Sequence, residues 1–135
     1  MRFIAILVLF HSFTCSFAVQ RDTVILPGID GYFGLKANHV PIISQLRPGI
    51  VELHSGGEVE KWFISGGFAF VHPNGVADIC VLEAATLDQI DGAAVKSALS
   101  TAMATQSQGD EYEQAVSRAA VELYSALDSA VETKA

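Results

Sequence analysis

The chain has 135 residues, half of them apolar, and its mean hydropathy is +0.37. This length supports one domain, or one domain with a small appendage, and the apolar content excludes an intrinsically disordered chain. The net charge is −7 and the pI is about 4.9. A nucleic-acid-binding protein needs a basic patch that replaces counterions, so this composition excludes that class.

The negative charge is concentrated in the last third of the chain. Residues 1–82 contain six acidic and five basic side chains, whereas residues 83–135 contain nine acidic and three basic ones. Such a change of charge balance marks a boundary between two parts of a chain. Together with the patterns below, it predicts an N-terminal segment 1–22, a β-sandwich domain 23–85 and a helical hairpin 86–135.

The N-terminal segment 1–22 allows two interpretations. Phe3–Phe10 is an apolar run of eight residues. It is too short for the ~20 residues of a membrane span but similar to the core of a secretory signal peptide, with Ser16–Ala18 as a cleavage site. In contrast, Phe13–Val19 alternates larger apolar residues with small or polar ones, which predicts a half-buried strand. The sequence leaves both interpretations open.

From residue 23 to residue 82 the sequence predicts short strands separated by glycine- and proline-containing turns. Many short strands at this spacing are typical of an antiparallel sandwich or barrel. The expected strands are 23–26, 32–35, 42–47, 50–54, 58–65, 68–71 and 76–82. The glycine-rich Ser65–Gly67 between two of them predicts a bulge or a close backbone approach rather than a phosphate site.

After Glu83 the period changes to that of helices. Thr86 and Gln89 have the spacing of a capping box, and Asp110 is placed to cap a second helix after the break at Ser107–Gly109. Two helices with a short turn form a hairpin, and a hairpin this small needs the sandwich or a partner to cover its apolar stripe. The expected stripe residues are Ile90, Val95, Leu99 and Met103, then Tyr112, Val116, Ala119, Leu123 and Leu127. The predicted fold is therefore α+β, an N-terminal antiparallel β-sandwich followed by a C-terminal α-helical hairpin.

The sequence contains no pattern that indicates catalysis. The four histidines have no metal-ligand spacing, and neither a nucleophile elbow nor a phosphate-binding loop occurs. Cys80 lies in an apolar run and is interpreted as a buried free thiol. We therefore expect no catalytic residue, no metal and no cofactor.

Seven short motifs follow one another in a characteristic order: Leu26–Pro27, Gly31–Gly34, Asn38–Pro41, Leu46–Gly49, Phe63–Gly67, Val81–Ala85 and Thr86–Asp91. Each motif is weak alone, but their common register over about residues 23–135 is specific. Together they resemble one family, the central-stalk subunit of F-type ATP synthase, called delta in mitochondria and epsilon in bacteria. The motif sequences are more similar to the mitochondrial form than to the bacterial one.

The resemblance implies a non-catalytic rotor subunit that couples proton-driven rotation to ATP synthesis. Its sandwich is expected to bind the gamma (shaft) subunit through His39, Val40 and Pro41. A loop at Asp30, Gly31, Tyr32 and Lys36 is expected to face the ring of c subunits. The other implied partner is the mitochondrial epsilon subunit. The implied location is peripheral, on the matrix side of the mitochondrial inner membrane, with membrane contact only through the c-ring.

The sequence departs from this family at two places. Bacterial members can bind ATP through an Ile/Leu-Asp-x-x-Arg-Ala pattern, and here Ala94 stands where the arginine would be. We therefore predict no ATP binding at this position. The segment 1–22 also differs from the family's first strand, and it conflicts with a mitochondrial location if it is a secretory signal. The alternative function is therefore a secreted β-sandwich binding module.

Overall fold

The computed structural model describes the backbone of residues 3–9 and 15–134, and the side chains from residue 19 to residue 133. The described chain forms two compact units, Met1–Ala85 and Thr86–Ala135. The strands are β1 Phe3–Leu9, β2 Cys15–Arg21, β3 Thr23–Gly28, β4 Gly31–Lys36, β5 Ile42–Leu46, β6 Gly49–Ser55, β7 Glu58–Ile64, β8 Gly67–Val71, β9 Val76–Val81 and β10 Ala84–Thr86. A one-turn 3₁₀ helix, Leu87–Gln89, precedes the helices α1 Gly92–Thr105 and α2 Glu111–Lys134.

The strands follow one path, β10-β7-β6-β3-β5-β8-β9-β1-β2, with β4 paired to β3 beside it. The path turns at β3 and β5, which share the single residue pair Gly28–Leu46, whereas β5 pairs with β8 over five residues. Such a minimal pairing lets the two halves of the sheet fold over each other into layers. All described ladders are antiparallel except the parallel pair of β1 and β9.

The core lies between these two halves and draws on both of them. Alternate residues of β6 and β9 are buried, as the period of two requires. Each large apolar side chain buried in this way stabilises the fold by about 1.5–3 kcal/mol. The cluster consists of Val24, Leu26, Leu35, Leu46, Val51, Leu53, Ile64, Ala69, Val71, Ala77, Ile79 and Val81.

The α+β class expected from the sequence is confirmed, and every strand predicted between residues 23 and 82 is present. The main difference lies in the N-terminal segment. The strand predicted at Phe13–Val19 appears as β2, Cys15–Arg21, and Phe13 lies outside the described residues. A second strand, β1, occupies the apolar run that the sequence also allowed as a signal-peptide core.

The close backbone approach predicted at Ser65–Gly67 is confirmed. A Cβ atom on Gly67 would overlap the carbonyl oxygen of Cys80 on the neighbouring strand. Gly66 lies over the turn after β5 with a φ of 108°, and its Cβ would come 3.1 Å from the Leu46 carbonyl oxygen. These glycines therefore allow the close approach of β8 to its neighbour β9 and to the turn after β5.

A charged cluster lies on β6 and β7. Glu52 accepts from His54 Nε2 at 2.9 Å and pairs with Lys61 Nζ at 3.3 Å across the ladder. Partial burial alone would raise the pKa of Glu52, but the hydrogen bonds and charges of His54 and Lys61 outweigh it and lower this pKa. The contacts with His54 and Lys61 thus favour the ionised form of the Glu52 carboxylate in the folded state.

Replacing Glu52 by glutamine is expected to lower the free energy of unfolding by less than about 1 kcal/mol at neutral pH, because the pair is partly exposed. A depressed folded-state pKa stabilises the protein above the unfolded-state pKa, here near 4.5, and this contribution is lost as the pH falls through the folded value. Urea unfolding of the wild type and of Glu52→Gln between pH 7 and pH 3 measures the difference in their free energies of unfolding. A difference that grows on acidification contradicts the assignment.

The first α-helix begins later than the capping-box pattern at Thr86 and Gln89 indicated. Thr86 N donates to Gln89 Oε1 at 3.1 Å, but this box caps only the 3₁₀ turn. The true cap of α1 is Asp91, whose Oδ1 accepts from Ala93 N and Ala94 N. Asp110 caps α2 as expected, because its carboxylate accepts from Glu113 N while its own N–H donates to the Glu113 carboxylate.

The predicted apolar stripes are only partly buried. Val95 and Ala102 of α1 and Ala130 of α2 are buried, whereas Met103, Tyr112 and Val116 are exposed. The two helices meet near Gly92 and Val131 at one end and near Thr105 and Ser117 at the other. The exposed positions therefore lie near the turn of the hairpin. None of the helices in the described part of the chain combines the length and apolarity needed to cross a membrane.

Candidate interaction surfaces

The strands β5, β8 and β9 carry apolar side chains on the face that points away from the core. Their ladders align Ile43 with Phe70 and Gln45 with Phe68. Ile43 is 74% exposed and Phe68 is 48% exposed, while the alternate residues Leu46, Ala69 and Val71 are buried. We call Ile43, Phe68 and Phe70 the outer apolar face. Such contiguous exposed apolar surface marks an interaction site in a folded protein.

The two aromatic residues of this face pack against each other, with ring centroids 6.4 Å apart. Cys80 lies opposite Phe68 on β9 and is a free, half-buried thiol, which corrects the expectation of full burial. Burial and the nearby Asp78 carboxylate raise the pKa of this thiol, which favours its protonated form at neutral pH. At the edge of the face His72 Nε2 lies 2.8 Å from Asp78 Oδ2.

The predicted shaft-facing segment His39–Pro41 leads directly into β5 and hence into the outer apolar face. The His39 ring donates from Nδ1 to the Val40 carbonyl oxygen at 2.8 Å, and the His39 N–H donates to the Lys36 carbonyl at 3.1 Å. The preceding Asn38 has a φ of 64°, a conformation that asparagine tolerates in turns. These bonds fix a turn that leaves the Val40 side chain 67% exposed.

The second predicted site lies at the tip of the β3–β4 hairpin. Ile29 and Asp30 form the turn, and Gly31 adopts a φ of 129° there. Ile29 and Tyr32 are both exposed, and the Ile29 N–H donates to the Gln45 carbonyl at 3.1 Å, which ties the tip to β5. The tip therefore presents one carboxylate between two apolar side chains on a fixed backbone.

Tyr32 also fastens this tip to β6. Its hydroxyl accepts from the Ile50 N–H at 3.2 Å and lies close to Gly49. A Cβ on Gly49 would come 2.8 Å from Pro27 Cβ and 2.9 Å from the Tyr32 hydroxyl. The glycine is thus required by this close packing, which holds the tip rigid.

Replacing Tyr32 by phenylalanine is expected to lower the free energy of unfolding by about 1 kcal/mol, because the Ile50 N–H loses its partner. Urea unfolding measures the change. The matched control is Tyr112→Phe in α2, where the side chain is 77% exposed and no effect above about 0.5 kcal/mol is expected. Equal effects of the two substitutions would mean that the Tyr32 hydroxyl does not hold the tip.

The structure does not bring Lys36 together with Asp30, Gly31 and Tyr32. Gly31 pairs with Gly28 at the tip, whereas Lys36 pairs with Thr23 at the other end of the same hairpin. Five residue steps along a strand separate Gly31 and Lys36, a distance of roughly 16 Å. Because the Lys36 carbonyl accepts from His39 N, Lys36 belongs instead to the surroundings of the His39–Pro41 segment.

The sequence analysis missed Ile29 and the outer apolar face. The available indication was that β5 and β8 are apolar at consecutive positions, Ile42–Ile43 and Phe68–Val71, and not only at alternate ones. A strand with two apolar faces must be covered on both sides. The pattern cannot say which face lies in the core and which binds a partner.

The described side chains show no arrangement suited to metal chemistry. No group of three or more histidine, cysteine or acidic residues among residues 19–133 could hold a metal ion. At the turn of the hairpin, a shallow cleft of about 510 Å³ is lined by Thr105, Gln108, Gly109, Tyr112, Glu113, Val116 and Ser117. These surfaces suit contacts with other chains.

Comparison with known proteins identifies relatives in one family. Residues 15–86 match the family of the ATP synthase delta/epsilon chain β-sandwich domain. The chain is 39% identical over 113 residues to the mitochondrial ATP synthase subunit delta' of Ipomoea batatas, covering 83% of this chain and 56% of that protein. It is 38% identical over 126 residues to the mitochondrial ATP synthase subunit delta of Eremothecium gossypii, covering 87% of this chain and 80% of that protein.

A solved structure extends the similarity to the whole fold. A chain in the cryo-EM structure of the Euglena gracilis mitochondrial ATP synthase, OSCP/F1/c-ring, superimposes with a TM-score of 0.86 and 30% sequence identity. The match covers 96% of this chain and 81% of that one. The chain spans about half the length of the first curated relative, 56% of the Ipomoea protein. With its β-sandwich matched over residues 15–86, this chain belongs to the ATP synthase delta/epsilon family.

Proposed function

We propose that this chain is a non-catalytic central-stalk subunit of a mitochondrial F-type ATP synthase. It links the gamma (shaft) subunit to the c-ring, and rotation driven by protons passes through it to the catalytic head. The observation that carries this proposal is the outer apolar face beside the exposed Val40, on a sandwich of the ATP synthase delta/epsilon family. A secreted binding module finds no support among the relatives, which are mitochondrial ATP synthase subunits.

In this proposal the shaft subunit covers the outer apolar face and the His39–Pro41 segment. Burial of Ile43, Phe68 and Val40 supplies the favourable free energy, because apolar area gains about 25 cal/mol per Å² when it leaves water. The surface is borne by paired strands over a close-packed core. A close-packed body deforms little under load, which suits the transmission of torque.

The c-ring is the proposed partner of the β3–β4 tip. Asp30 offers an acceptor for backbone or side-chain donors of the ring's loops, and Ile29 and Tyr32 offer apolar contact on either side. The hydrogen bond from the Ile50 N–H to the Tyr32 hydroxyl restrains the tip in this position. Contact with the membrane is then made only through the ring, and the chain lies on the matrix side of the inner membrane.

The hairpin is the proposed contact for the mitochondrial epsilon subunit. Tyr112 and Val116 are 77% and 50% exposed near its turn, and Asp110, Glu111 and Glu113 are their neighbours in the sequence. Since the segment 83–135 carries nine acidic and three basic residues, a basic partner is favoured electrostatically.

The proposal is tested by co-expression of the full chain, tagged at its C-terminus, with the shaft subunit of its source organism. We expect a stoichiometric complex that survives gel filtration at 0.5 M NaCl, because the outer face is apolar and salt screens mainly charge contacts. The purified intact synthase should also contain the chain. Absence from the synthase, or elution of the two proteins as separate species, would overturn the proposed function.

The chain is predicted not to bind ATP where α1 begins. Ala94 replaces the expected arginine, and the Asp91 carboxylate already accepts two backbone N–H groups, at 3.0 and 3.2 Å. Isothermal titration of the full chain with Mg-ATP should give no binding heat beyond dilution, with an ATP-binding bacterial epsilon subunit as the positive control. A micromolar dissociation constant for this chain would contradict the prediction.

A further inference from the structure

The strand β1 lies inside the sheet, between β9 and β2. It pairs with β9 in parallel over six residue pairs, from Ile4–Val76 to Leu9–Val81. It also pairs with β2 in antiparallel fashion over seven, from Phe3–Arg21 to Leu9–Cys15. We propose that residues 3–9 are kept in the mature protein as this strand, and that the chain is not cut after Ala18.

A cut after Ala18 would remove all of β1 and the first four residues of β2. It would leave β9 as an unpaired edge, although Ala77, Ile79 and Val81 of this strand are at most 2% exposed and belong to the core. Unpaired edge strands expose backbone donors and acceptors and promote aggregation. A segment that completes the sheet in this way is part of the fold rather than a signal peptide that is cleaved off.

The residues that directly follow Ala18 are also anchored in the β-sandwich. Val19 packs against the core cluster. The Arg21 guanidinium donates to Glu60 Oε2 at 2.6 Å, and the other oxygen of this carboxylate accepts from Trp62 Nε1 at 2.8 Å. Cleavage would place a new charged terminus at Val19, next to these contacts. The proposal concerns only this cut, and removal of residues before Phe3 is compatible with it.

Peptide mapping of the protein purified from its source tests the proposal directly. Trypsin cuts after Arg2 and Arg21, so retention yields the peptide Phe3–Arg21. We expect this peptide in the same abundance as peptides from α2. A mature chain that begins beyond Leu9 would overturn the proposal. The measurement needs no partner, so its outcome is independent of the proposed stalk function.

A second test asks whether the strand contributes to the fold. Leu7 lies in the middle of both ladders, opposite Phe17 and Ile79. Proline at this position removes a ladder N–H, so Leu7→Pro should lower the Tm by about 10 °C or more, whereas Leu7→Val should change it little. Hydrogen exchange of the β9 amides should become faster in Leu7→Pro and in a chain that starts at Val19. Unchanged Tm and unchanged β9 protection in both would overturn the proposal, and a shortened chain that aggregates supports it.

Discussion

Replacing Val40 by aspartate is expected to weaken binding of the shaft subunit at least 100-fold. The Val40 side chain is 67% exposed and lies next to β5, where Ile43 is 74% exposed. A carboxylate buried there without a partner costs about 3 kcal/mol or more, and about 1.4 kcal/mol corresponds to a tenfold change in the dissociation constant. Because the side chain is not part of the core, the free energy of unfolding should change by less than about 0.5 kcal/mol.

The matched control is Val59→Asp, which introduces the same charge at a valine that is 46% exposed on β7, away from the outer apolar face. Titration calorimetry with the purified shaft subunit compares the two variants, and urea unfolding verifies that both are folded. We expect the wild-type dissociation constant for Val59→Asp. Unchanged affinity in Val40→Asp, or equal losses in the two variants, would show that the His39–Pro41 segment is not the shaft contact.

The β-strands were predictable because the period of two and the turn residues agree with each other along this part of the chain. Gly56-Gly57 closes the β6–β7 hairpin with a positive φ at both residues, as a primed two-residue turn requires, and Pro48 lies between two strands where it need not donate. The helix start was less predictable. The Thr86 N–H does donate to the Gln89 side chain, but this bond caps only the 3₁₀ turn. The Asp91 carboxylate accepts from the first two free N–H groups of α1, and α1 therefore begins after Asp91.

The interaction surfaces were less predictable, since they depend on which residues the fold brings together. Lys36 and Asp30 are near in sequence, but the β3–β4 ladder places them at opposite ends. Ile43 and Phe68 are distant in sequence and meet only through the β5–β8 register. In the N-terminal segment an apolar run suits either a signal peptide or a strand, and the pairing of β1 with β9, which favours the strand, depends on residues 76–81, far along the chain.

Replacing Gly67 by alanine is expected to lower the free energy of unfolding by about 3 kcal/mol or more. Gly67 pairs with Leu46 on one side and with Val81 on the other, so its backbone cannot move without disturbing both ladders. An added Cβ would overlap the Cys80 carbonyl oxygen and lie 3.0 Å from Val81 Cα. Overlap with backbone atoms in a close-packed sheet is relieved only by breaking ladder hydrogen bonds.

Gly67 itself has a φ of 154°, so two other glycines are needed to separate the steric effect from the cost of the backbone conformation. Gly34→Ala on β4 adds a Cβ with no atom within 4 Å and should change stability by less than about 0.5 kcal/mol. Gly31→Ala has equal space but a φ of 129°, so it should cost about 1–3 kcal/mol through conformation alone. Urea unfolding ranks the three variants. If Gly67→Ala costs no more than Gly31→Ala, then the contact between β8 and β9 is looser than the register implies, and the rigidity assigned to the outer apolar face loses its basis.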